Sequence, residues 1–91
     1  IQLRPYYGKA HFNLGRVRFM QGDREGALEC FRAAVKGDFD TAEAFLALGQ
    51  LSSEMGRHAD AADAFRESIN KGMRDATMYF YYANASYLGG R

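Results

Sequence analysis

The chain has 91 residues, of which 47% are hydrophobic and 25% charged, with a formal net charge of +1. This is the composition of one small folded domain with a modest core, not of a disordered or fibrous chain. Seven Lys and Arg face six Asp and Glu up to residue 45, and five face five beyond it, so neither half has the basic excess of a nucleic-acid footprint.

The predicted elements are helices throughout. Residues 1–7, with the single proline Pro5, read as the tail of an earlier unit. Helices are expected near 8–21, 24–36, 42–55, 58–71 and 76–88, from apolar residues that recur three or four apart. Ala44, Phe45, Leu48, Leu51 and Met55 mark one such face, and Ala61, Ala62, Phe65 and Ile69 another. Gly22 and Gly56 suit helix ends, and Gly37 and Gly72 end the second helices. Asp23, then Asp40 or Thr41, then Asp75 are placed to cap the helices that follow. No run of eighteen apolar residues occurs, so no membrane insertion is expected in this segment.

One register links these elements. Leu14-Gly15 repeats as Leu48-Gly49, thirty-four residues on. The same step carries Gly22 to Gly56, Ala27 to Ala61, Phe31 to Phe65 and Phe12 to Leu46, and it sets Val35 on Ile69. A repeat of this length is a supersecondary unit that cannot bury its apolar face alone. The unit boundaries fall at 8–41 and 42–75, with 76–91 as the first helix of a third unit. Gly15 and Gly49 mark close helix crossings, beside Ala27 and Ala61, with Phe31 and Phe65 filling the adjoining space.

These residues resemble the tetratricopeptide repeat family. The pattern appears as Phe45, Leu48-Gly49, Gly56, Ala61, Phe65 and Ser68, and as His11, Leu14-Gly15, Gly22, Ala27, Phe31 and Ala34. Phe39 and Met73 stand where a closing proline is common, and Arg18, Ser52 and Ser86 where a large aromatic is common. The resemblance covers essentially the whole chain. It implies an all-α fold of antiparallel helix hairpins, an α-solenoid wound as a right-handed superhelix, and the chain reads as a piece of a longer array.

Chemistry-bearing motifs are sparse. There is no phosphate loop, dinucleotide fingerprint or nucleophile elbow, and no cofactor or metal is expected. Cys30 stands alone, so no internal disulfide can form, and it reads as a packed thiol. His11 takes an aromatic packing slot and is expected to be partly buried, whereas His58 is expected to be solvated. Glu25, Glu29, Asp60, Asp63 and Glu67 read as solvated helix surface rather than an acid–base pair.

The resemblance further implies that the first helix of every unit lines a concave, partner-binding face. The positions that carry over are Lys9, Phe12, Asn13, Arg16 and Phe19 in the first unit, Leu46 and Gln50 in the second, and Phe80, Tyr81 and Asn84 in the third. Lys9, Phe12, Asn13 and Arg16 also form one stripe by helical spacing alone. Asn13, Gln50 and Asn84 are suited to bond a peptide backbone, and Phe12, Leu46 and Phe80 to take apolar side chains or else to pack between helices. A clamp for a chain-terminal carboxylate is not expected, because Ala47, Thr77 and Tyr81 stand where polar or basic groups are required. Ala47 and Tyr81 also break an asparagine ladder.

The expected function is a non-catalytic scaffold that binds a protein or peptide partner, with self-association through helix 76–88 and an arm of a larger enzyme as alternatives. The aromatic residues Tyr79, Phe80, Tyr81, Tyr82 and Tyr87 of that helix read as uncovered, through continuation of the chain or an interface. The lone cysteine favours a cytoplasmic setting over a periplasmic one.

Overall fold

The computed structural model describes residues 7–90. Pro5 and the expected tail of an earlier unit fall outside them, apart from Tyr7, which opens the first helix. The order is α1 (Tyr7–Met20), α2 (Arg24–Lys36), α3 (Ala42–Glu54), α4 (His58–Asn70) and α5 (Ala76–Leu88). No strand occurs among the described residues, so the fold is all-α. Each helix lies within one residue of its predicted bounds, because the punctuating residues act locally.

Asp23 caps α2 by accepting from the Gly26 amide at 2.9 Å. Thr41, rather than Asp40, caps α3, its hydroxyl accepting from the Ala44 amide at 3.2 Å. Asp75 caps α5 in the same way at Met78. In each case a short polar side chain satisfies one of the orphan amides of a first helical turn. Gly22 and Gly56 take φ of 84° and 79°, the left-handed conformation that turns the chain after α1 and α3.

The described residues divide into two compact units between Asp40 and Thr41. In the first, α1 packs against α2. The core is Ala27, Leu28, Phe31 and Ala34 of α2, all buried. The Phe12 ring lies 5.4 Å from that of Phe31 and 5.1 Å from that of Phe39. Phe39, which replaces a closing proline, thus serves as an aromatic lid over the end of the hairpin. The next residue back, Asp38, accepts from the Gly8 amide at 2.7 Å, so the loop after α2 satisfies the start of α1.

In the second unit α4 lies between α3 and α5, with contacts to each. Ala61, Ala62 and Phe65 of α4 form one cluster with Met78 and Ala85 of α5. Leu46, Ile69, Met73, Tyr81 and Tyr82 pack around it. Ser68 is fully buried, and its hydroxyl donates to the Ala42 carbonyl at 2.9 Å. Met73, the second replacement for a closing proline, brings its sulfur to 3.6 Å from the same hydroxyl.

Candidate protein-interaction surface

On α1 the closest approach to α2 is made at Gly15. Phe31 and Cys30 supply the atoms nearest Gly15, nearer than any of Ala27. That packing leaves Lys9, Asn13 and Arg16 exposed together on one side of the helix. Phe12 is drawn inward by the Phe31 and Phe39 rings and is half-buried. Phe19 is 40% exposed, with the Arg24 guanidinium 6.0 Å from its ring centre. Arg18, in a slot where a large aromatic was expected to be common, donates instead to Asp23 at 3.1 Å. The bond from the Gly26 amide and that from Arg18 together hold the Asp23 carboxyl below its ordinary range.

In the second unit Gln50 is exposed on α3 and Asn84 on α5. Leu46 is half-buried against the core cluster. Phe80 is 66% exposed, whereas its neighbour Tyr81 stacks on Phe65 at 5.4 Å between ring centres. The ten residues therefore separate. Lys9, Asn13, Arg16, Gln50, Phe80 and Asn84 are open to a partner, with Phe19 partly so, while Phe12, Leu46 and Tyr81 are largely taken up by packing. The expectation that all five aromatics of α5 lie uncovered is corrected for Tyr81 and Tyr82, which pack against α4; Tyr79, Phe80 and Tyr87 are exposed.

Two further differences appear. His58 is half-buried rather than solvated. It lines a hollow with Leu88 and Gly89, and its Nδ1 has no hydrogen-bond partner among the described residues. Leu14, half of the repeating Leu-Gly pair, is 43% exposed, and Val17 is 49% exposed. They lie beside the Lys9–Arg16 stripe, and the repeat pattern alone assigns Leu14 to packing, so this open apolar side was not legible in it. Glu25, Glu29 and Asp60 are exposed and Cys30 is buried. No group of three or more metal-ligating side chains occurs among the described residues. No described helix is long and apolar enough to cross a membrane.

The paired helices, the thirty-four-residue step and the Gly–Phe crossings agree with the comparison of the chain against protein families. The tetratricopeptide repeat model matches residues 12–73 and, in a second overlapping placement, residues 46–91. The chain belongs to the tetratricopeptide repeat family. No curated protein matches it. Tetratricopeptide repeats commonly mediate protein–protein interaction and generally act as non-catalytic scaffolds.

Proposed function

We propose that this chain is an interaction scaffold that binds a peptide or helix of a partner protein on the open sides of its first helices. The observation that carries this reading is the exposure of Lys9, Asn13 and Arg16 on one side of α1. Helix packing explains the buried residues of α1 but leaves this stripe of donors without a structural task. Asn84 and Phe80 on α5 and Gln50 on α3 offer similar amide and aromatic groups at register-equivalent or neighbouring positions. Capture of a binding partner by the wild-type chain, followed by Arg16→Glu combined with Asn84→Ala, tests the reading. Both positions are exposed, so circular dichroism is expected to stay unchanged while capture is lost. Undiminished capture by the double variant would overturn the assignment of these faces.

A second reading is supported by α5. Phe80 is 66% and Tyr87 83% exposed, and the helix contains no Lys, Arg, Asp or Glu. An uncharged aromatic face of this kind suits self-association. Light scattering over a concentration series separates the two readings: a mass that stays at one chain counts against self-association.

A further inference from the structure

We infer that the last turns of α1 seat a short extended segment of a partner protein, in which an apolar side chain and a carboxylate stand two residues apart. This rests on the interaction reading above and names the partner's chemistry.

The repeat itself separates packing positions from open ones. Val17 is 49% exposed, but its equivalents one and two register steps on, Leu51 and Ala85, are buried, so this side of a first helix is a packing face and its exposure in α1 marks no binding surface. Arg16 and Met20 differ. Their equivalents are Gln50 and Glu54 in α3 and Asn84 and Leu88 in α5, and all four are exposed. The repeat thus leaves these two positions open in every first helix. In α1 they hold a guanidinium and a thioether side chain that is 80% exposed, with Phe19 beside them.

The side chains at these open positions set the partner's chemistry. Arg16 lies three residues before Phe19 and four before Met20, so the three share one side of α1. One register step on, the same positions hold Gln50, Ser53 and Glu54, and two steps on they hold Asn84, Tyr87 and Leu88. Only α1 joins a cation to an apolar surface. Arg16 has no ion-pair partner among the described residues, and α1 contains no Asp or Glu to neutralise it. Arg24 brings a second guanidinium to 6.0 Å from the Phe19 ring centre. An unbranched methionine conforms to an incoming apolar group, and a guanidinium takes a carboxylate through two parallel bonds.

Spacing sets the partner's conformation. Arg16 and Met20 are about 6 Å apart along the helix axis, at 1.5 Å per residue. Residues two apart in an extended segment point the same way and are separated by about 6.6 Å. Asn13, exposed and one turn before Arg16, adds an amide on the same stripe. An extended backbone has free N–H and C=O groups for that amide, whereas those of a helix are paired within it. The apolar side chain therefore lies on Phe19 and Met20, the carboxylate on Arg16, and the backbone beyond it on Asn13.

The test titrates the whole chain with short synthetic peptides blocked at both ends and follows amide chemical shifts. The probe carries leucine and, two residues away, glutamate in an otherwise Gly/Ser sequence. Replacing its leucine by alanine is expected to weaken binding about tenfold, and replacing its glutamate by glutamine up to about fivefold at low salt. Shifts should centre on Arg16, Phe19 and Met20. Arg16→Gln should remove the glutamate preference and keep the leucine one, and Met20→Gln should do the reverse. Both residues are exposed, so circular dichroism should not change. The proposal is overturned by shifts absent at millimolar peptide or centred on another helix. It is overturned equally by undiminished binding when leucine and glutamate are adjacent, by tighter binding of a helical peptide with the pair four apart, or by a second copy of the chain seated there in light scattering. If the peptides fail while partner capture still depends on Arg16, the apolar–acidic segment is excluded and the scaffold reading stands.

Discussion

Gly49 and Phe65 occupy one another's space: a methyl group built on Gly49 would lie 2.6 Å from the ring. Gly15 meets Phe31 in the same way at 2.7 Å. Both rings are buried, so neither can swing clear without opening the hairpin. Alanine is the better helix former by about 1 kcal/mol, but overpacking a filled site costs about 1–3 kcal/mol. Gly49→Ala is therefore expected to lower stability by up to about 2 kcal/mol in urea unfolding, and Gly49→Leu by more. Combining Gly49→Ala with Phe65→Leu should cost less than the sum of the two, because the second change vacates the space the first requires. Additive losses would show that the crossing does not set the spacing.

Ser68 is buried, and its hydroxyl donates to Ala42 across the hairpin. Ser68→Ala leaves the side chain's volume nearly filled and removes this bond. A loss of about 1 kcal/mol is expected, the usual net value of an intramolecular hydrogen bond. Ser68→Val adds bulk where there is no exposed surface and should cost more. A stable Ser68→Val variant would show the site to be loosely packed.

Asp23 gives a pH dependence with a defined sign. The Gly26 amide and Arg18 depress its carboxyl below the ordinary value of 3.8. The unfolded chain binds the proton more readily, so the contribution is full above about pH 4 and is lost as the pH falls through the depressed folded value. Asp23→Asn keeps an acceptor for the Gly26 amide but cannot titrate. The stability gap between wild type and Asp23→Asn should thus be widest near neutral pH and should close toward acid. A gap that is constant with pH would place the stabilisation in the cap alone.

Tyr81 and Phe80 are adjacent aromatics with opposite tasks. Tyr81 stacks on Phe65, whereas Phe80 is 66% exposed. Tyr81→Ala is expected to lower stability by about 2–3 kcal/mol, somewhat below the loss at a fully buried ring. Phe80→Ser should change it by about 0.5 kcal/mol or less, as exposed substitutions do. A thermal melt of each variant checks the contrast, and partner capture should respond to Phe80 alone if α5 contributes to the surface.

The helices were legible because their signals are local. Asp23, Asp75, Gly22 and Gly56 act within a turn or two of their own positions, and the thirty-four-residue step fixes the rest. The division of labour between Tyr81 and Phe80 was not legible, since both are aromatic and only the packing of α5 on α4 separates them. The roles of Phe39 and Arg18 were hidden for a related reason. Each departs from the family pattern, and each is accommodated by a partner the pattern does not contain: Phe12 for the first and Asp23 for the second. Leu14 shows the converse. It fits the pattern fully, and the structure nonetheless leaves it on the open side of α1.

The uneven placement of charge along the repeat makes ionic strength a dial. Helix α5 has no charged residue, while α1 has three cations and no acid. Raising salt from about 0.01 M to 1 M shortens the screening length from about 30 Å to 3 Å, which weakens whatever α1 holds through charge and leaves an aromatic contact at α5 untouched or strengthened. One salt titration therefore distinguishes which end of the chain carries a given partner, before any residue is changed.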